Sequence, residues 1–164
     1  MIEKYGCEFD YKVKKRDILA EKILLMKRAL RITAITLLLI NGIGAIWGGF
    51  GLIYDPSGNF MQMPLEFLQY SPFSNYLIPG IILLVFNGFL SLAAATLVAR
   101  KHRFHSHFTI FQGVVLVIWL SVQIVMIRQF YFPLHLPFYI IGFGLIFIGI
   151  FLINRKNQLI KSDA

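Results

Sequence analysis

The chain has 164 residues, of which 57% are hydrophobic and only 15% charged, with a net charge of +8. A soluble domain carries about 45–50% apolar and about 25% charged residues, so this composition describes a membrane protein and excludes a disordered or collagen-like chain. A single cysteine, Cys7, excludes a disulfide scaffold.

The length suits one domain, and the apolar residues fall in four blocks, so residues 1–164 are expected to form a single membrane bundle with no appended soluble enzyme. In chain order, residues 1–31 are charged throughout, whereas a secretory signal peptide has a short basic start and then an apolar core. The first span is therefore expected to be an uncleaved anchor. Asp17 suits the N-cap of a helix reaching about Arg31, with Ile18, Leu19, Ile23, Met26 and Leu30 leaning to one side and Glu21, Lys22 and Arg28 to the other. Such a helix lies along the inner leaflet, with docking to a partner as the alternative. Cys7 then sits in a reducing compartment, which excludes redox chemistry that needs a cysteine pair in one chain.

Residues 32–53, 77–99, 108–127 and 136–153 each run without a charge for long enough to cross about 30 Å of hydrocarbon as a helix. Barrel strands would alternate in segments of about ten residues, which is absent here. The fold class is all-α, a four-transmembrane-helix bundle. In the first span Asn41, Gly44 and Gly48, followed by Asp55, fall within about 60° of one another at 100° per residue. Gly44 and Gly48 are thus expected to be helix-packing positions, since glycine lets a neighbouring backbone come close. In the third span Gln112, Trp119 and Gln123 fall within about 40°. With Asn87 of the second span, these polar side chains form either helix–helix hydrogen bonds or a candidate ligand-binding interior of Asn41, Asn87, Gln112, Trp119 and Gln123.

The connection 54–76 is long for a small bundle, and Asp55-Pro56-Ser57-Gly58 reads as a type I turn. Phe60, Met61, Met63, Phe67 and Tyr70 are too apolar to hang in water, so an ordered, Pro-rich loop folded onto the bundle is expected, with one or two helical turns over Met63 to Leu68. All six prolines fall in the outer loops or at outer helix ends, Pro79 and Pro137 in first turns where the missing N–H costs nothing. The turn 100–107 holds His102, His105 and His107, but its adjacent cations repel a dication and no carboxylate or thiol is near, so no metal is expected. The turn 128–135 brings Arg128, at the end of span three, to the depth of Asp55 at the end of span one. An ion pair of Arg128 with Asp55, or with Glu66, is expected there.

Orientation follows from the cations. Nine Lys and Arg precede the first span, Arg100, Lys101 and Arg103 lie between spans two and three, and Arg155, Lys156 and Lys161 lie in the tail 154–164, leaving Arg128 alone on the other side. The positive-inside bias puts both termini in the cytoplasm. The same cations flank spans, where anionic lipid accounts for them, and no recognition module accompanies them, so nucleic acid is not an expected partner.

Gly48-Gly49-x-Gly51-Leu52 leads into Asp55-Pro56-Ser57-Gly58, then Met63-Pro64, then Ser71-Pro72-Phe73-x-Asn75-Tyr76-Leu77-x-Pro79-Gly80. Over about a third of the chain this resembles a set of small, uncharacterised bacterial four-helix integral membrane proteins, in which Asp is commoner at the place of Asn75. The resemblance implies a multi-pass protein of a bacterial inner membrane and supplies no catalytic residues.

No Asp, Glu, Lys or Arg lies deep in any span, which argues against a proton pump. The first functional reading is a non-enzymatic structural or accessory subunit, in contact with lipid and with another membrane protein or a second copy. The second is a lipid- or small-molecule-binding protein or transporter subunit, with a pocket under the 54–76 loop. The third is a membrane enzyme using Asp55, Glu66, Arg128 and His135. No cofactor is expected.

Overall fold

The computed structural model describes residues 2–162, with side chains over 14–154 apart from Asp17 and Leu134. Among the described residues every regular element is helical: α1 (Ile2–Tyr54), a 3₁₀ turn (Leu65–Leu68), α2 (Leu77–Ala99), α3 (His105–Ile127) and α4 (Phe132–Ser162). Four stretches are long and apolar enough to cross a membrane: Lys14–Tyr54, Leu77–Ala99, His105–Ile127 and His135–Asn154. They contain the four spans expected from the sequence, with each end level or extended.

The chain divides into two compact units, Met1–Thr33 and Ala34–Ala164. The first is wholly helical from Ile2 on, so Asp17 falls inside a helix rather than at its start. A helix that begins upstream needs no cap there. Its apolar residues do not gather on one covered side: Leu19, Leu24 and Leu25 are all exposed. Cys7 lies outside the described side chains.

In the second unit the buried positions of α1 that form a seam are Ala34, Leu38, Asn41, Gly42, Ala45, Gly49 and Leu52, recurring every three or four residues, while Gly51 is buried off that seam under Met61 and Phe60 of the following loop. The seam touches α2 at glycines. A Cβ placed on Gly42 would come 3.3 Å from Gly88 O, and one on Gly49 would come 2.9 Å from Gly80 O and 2.8 Å from Leu84 N. The α3–α4 pair uses the same device, since a Cβ on Gly113 would lie 2.6 Å from Gly142 O and one on Gly149 would lie 2.9 Å from Ser106 O. Leu116, Leu120, Leu145, Ile148 and Leu152 complete the core of the unit with Leu38 and Val98.

The helix-packing role expected of Gly44 is therefore corrected. It is exposed, and a Cβ there would meet nothing within 4 Å; one on Gly48 would only graze Leu83 Cδ2 at 3.4 Å. At 100° per residue Gly44 points about 105° away from the mean direction of the buried set, and Gly48 about 65°. Asn41 stands at the margin of the seam, and the seam extends toward Gly42 rather than toward Gly44. The exposed side carries Ile43, Trp47 and Phe50, the residue types that suit lipid.

Two irregularities shape the helices. Residues Leu83–Phe89 of α2 form π-helical turns between α-helical segments at Leu77–Ile82 and Leu90–Ala99. In α4 the first helical residue is Phe132, so Pro133 occupies the first turn and Pro137 lies one turn inside, where the sequence had placed it in the first turn. Pro137 has no N–H for the carbonyl four residues back.

Candidate functional site

The π turns of α2 face the most deeply buried polar group of the bundle. Asn41 and Asn87 are 1% exposed, and Ser91 and Gln112 are fully buried. Asn41 Nδ2 donates to Ser91 Oγ at 2.8 Å and to Asn87 O at 3.4 Å, joining α1 to α2. Gln112 Nε2 donates to Phe86 O at 3.3 Å, joining α3 to α2.

The Gln112 bond follows from the helix geometry. In an α-helix the Leu90 N–H would go to Phe86 O, four residues back. Here it goes to Val85 O, five residues back. The widened turn thus frees one carbonyl, Phe86 O, in the interior of the unit, where an unpaired carbonyl is costly. Gln112 supplies the missing donor from the neighbouring helix. Its own Oε1 is buried without a partner, as are both Oδ1 and Nδ2 of Asn87.

The remaining candidates of the expected interior do not join this group. Trp119 and Gln123 are half-buried and lie about 10 Å and 16 Å further along α3 than Gln112 at 1.5 Å per residue. The buried seam of α3 runs through Ser106, Thr109, Gln112, Gly113, Leu116 and Leu120, so Gln112 is on it while Trp119 is turned toward its margin. Ser91 is the member that the sequence left out of the candidate set: at four residues from Asn87 it shares a helix face with it, which is the signal that could have included it.

At the other candidate location, the 55–76 end of the bundle, the loop makes its own bonds. Gly58 N–H donates to Asp55 O at 3.0 Å, closing the turn read from the sequence, and Met63 N–H donates back to Gly58 O at 2.9 Å. Gly58 has φ +83°, and a Cβ there would run into Met63 O and the Tyr76 ring, so glycine is required. Tyr76 closes the far side: its N–H reaches Pro56 O at 2.9 Å and its hydroxyl donates to Pro64 O at 2.8 Å. Leu52, Leu68 and Tyr76 form a buried cluster with Met61, Met63, Leu83 and Met126 packed against it. Burial pushes the Tyr76 hydroxyl above its ordinary pKa.

The expected ion pair is corrected here. The Asp55 carboxylate accepts from the Ser57 hydroxyl, the Ser57 N–H and the Phe60 N–H, and those bonds, the Ser57 hydroxyl first, hold its pKa below the ordinary carboxylate range. The Arg128 guanidinium lies instead over the Tyr70 ring, 3.8 Å from its centroid. Arg128 is the left-handed C-cap of α3, with φ 53°, and Asp55 is turned back into the loop directly after α1. Loop amides two and five residues away reach the carboxylate without any long-range closure, which is why they win. Glu66 sits exposed in the 3₁₀ turn, and among the described residues it joins no ion pair with Arg128. His135 is 1% exposed, with Nδ1 3.0 Å from the Tyr131 N–H donor and its ring stacked on Phe130 at 5.3 Å. Asp55, Glu66, Arg128 and His135 therefore have separate surroundings.

In the turn after α2, His102 Nδ1 accepts from the Phe104 N–H at 3.4 Å and His105 Nδ1 lies 2.6 Å from His102 O. Among the described residues no three His, Cys, Asp or Glu side chains gather to hold a metal ion. No family model, curated protein or solved structure matches the chain.

Proposed function

We propose that the chain is a multi-pass protein of a bacterial inner membrane, with both termini in the cytoplasm, and serves as a non-enzymatic structural or accessory subunit. The orientation rests on the Lys and Arg asymmetry, and the bacterial inner membrane on the resemblance carried by the 48–80 segment. The observation that carries the non-enzymatic reading is the separation of the ionisable side chains at the 55–76 end. Asp55 is bound by its own loop, Arg128 stacks on Tyr70, and His135 is sealed against Tyr131 and Phe130. Acid–base work needs such groups to converge on one substrate.

A lipid or small-molecule pocket beneath the 54–76 loop is the weaker reading, because Leu52, Leu68 and Tyr76 with Met61, Met63 and Met126 fill that space. The partners of a structural subunit are lipid and either another membrane protein or a second copy. Two measurements test the proposal. Reporter fusions at the C-terminus should be active as cytoplasmic fluorescent protein and inactive as alkaline phosphatase. A photo-crosslinking residue at Trp47 or Phe147, 66% and 68% exposed, should give adducts of discrete protein mass in native membranes. Lipid adducts alone from every exposed position would refute an accessory subunit.

A further inference from the structure

Among the described residues, Asn87 alone has both side-chain polar atoms buried with no protein partner. It lies near the middle of Leu77–Ala99, at the π turns, with the equally unpartnered Oε1 of Gln112 on a carboxamide bonded to the preceding carbonyl, Phe86 O. The neighbouring donors are already used: Asn41 Nδ2 on Ser91 Oγ and Asn87 O, Gln112 Nε2 on Phe86 O. What is left over is one amide nitrogen that donates and two amide oxygens that accept, with no charge among them.

That set selects its ligand. A cation would meet the Asn87 Nδ2 hydrogens, and an anion would meet two carbonyl-type oxygens. A neutral molecule that both accepts and donates satisfies all three atoms. The surroundings are 0–1% exposed, which limits the occupant to the smallest such molecule. We propose that Asn87 and Gln112 form an internal water-binding site at mid-membrane, where water accepts from Asn87 Nδ2 and donates to Asn87 Oδ1 and Gln112 Oε1. Buried water makes about three hydrogen bonds to otherwise unsatisfied polar groups, and this site offers that number. π-helical bulges concentrate at functional sites, and here the widened turn places a polar node where three helices meet.

The protein is tested whole, in liposomes, with 15N confined to asparagine. The sequence holds six, of which Asn59 and Asn75 are exposed loop residues and serve as hydrated references. In proton-detected solid-state NMR, magnetisation from water should reach the Asn87 Nδ2 protons faster than it reaches the Asn87 backbone N–H, which is the internal control for a dry helix. The signal is assigned by its loss in Asn87→Leu, or, should that variant not fold, by elimination with Asn41→Ala, Asn59→Gln, Asn75→Gln, Asn154→Gln and Asn157→Gln taken one at a time. Transfer to Nδ2 no faster than to the backbone N–H would overturn the site, and would mean that Asn87 turns to a protein partner. Loss of the signal on replacing sodium by choline would also overturn it, in favour of a cation.

Discussion

Gly49→Ala and Gly44→Ala make a matched pair, because both add one methyl to the same helix and differ only in what the methyl meets. Each gains about 1 kcal/mol of helix propensity, a term common to the two. At Gly44 the new Cβ meets nothing within 4 Å, so this variant should be neutral or modestly stabilised. At Gly49 the Cβ falls 2.8 Å from Leu84 Cβ and Leu84 N and 2.9 Å from Gly80 O, and two of those atoms are backbone. Ordinary carbon contacts begin near 3.5 Å, so the α1–α2 crossing must open by roughly 0.7 Å. Forced separation of packed elements typically costs about 1–3 kcal/mol. Subtracting the Gly44→Ala result cancels propensity, so Gly49→Ala should be the less stable by that same 1–3 kcal/mol, approximately. Equilibrium unfolding by steric trapping in bicelles reads the difference directly. If the two variants agree within about 0.5 kcal/mol, the usual margin for independent sites, the assignment of the seam to Gly42 and Gly49 is wrong.

Gln112→Leu should cost about 1 kcal/mol or more in the same assay, because it removes a buried hydrogen bond and with it the donor that supports the π register; an unchanged stability would mean that the Gln112–Phe86 O bond contributes nothing to the fold. Asp55→Asn and Arg128→Gln should be additive within about 0.3 kcal/mol, since the carboxylate is held by Ser57 and Phe60 and the guanidinium by Tyr70, and a larger coupling energy in a double-mutant cycle would restore the ion pair. Tyr70→Leu should remove a cation–π contact worth about 0.5–1 kcal/mol, and should do so only while Arg128 is present. The folded pKa of Asp55 is lowered, so its contribution to stability is fully present above the ordinary value of 3.8 and is lost as the pH falls from there through the depressed value. Asp55→Asn should flatten that acid limb, as read by pH-dependent melting, and an acid limb of unchanged slope would contradict the capping bonds.

The four long apolar helices were legible because the length and apolarity that a bilayer crossing requires are local properties of sequence. Facing is different. The first span contains glycines at 42, 44, 48, 49 and 51, and a periodic rule can draw a stripe through several pairs of them. On a helical wheel Asn41 with Gly44 and Gly48 spans about 60° and Asn41 with Gly42 and Gly49 about 100°, so periodicity alone favours the stripe that does not face α2. The apolar residues cannot decide between them, because lipid and protein interior accept the same Leu, Ile and Phe, so the contrast that betrays a buried face in water is missing. The same ambiguity misplaced Trp119, which lies to one side of the α3 seam just as Gly44 lies to one side of that in α1.

The polar node was half legible for a related reason. Amides in the middle of apolar spans stand out in any sequence, and here Asn41 reaches the Asn87 carbonyl while Gln112 reaches the adjacent Phe86 carbonyl. Their partners are what no pattern contains: Gln112 is bonded to a backbone carbonyl 26 positions away, and that carbonyl is free only because the helix widens at Leu83–Phe89. The residues of that segment, Leu-Leu-Val-Phe-Asn-Gly-Phe, would suit an ordinary α-helix, and nothing local demands a fifth residue in the turn. The π turn therefore needs its tertiary partner. An isolated α2 that widened there would leave Phe86 O unpaired in hydrocarbon, whereas α2 packed on α3 has Gln112 in place to accept the widening. It follows that Gln112 and the π register are one unit, and that removing the Gln112 donor should favour return of the Leu90 N–H to Phe86 O. In Gln112→Leu, hydrogen exchange at Leu90 should then slow relative to Ser91, as the Leu90 bond shortens from five residues to four. Faster exchange at both would show a π turn held by the backbone alone.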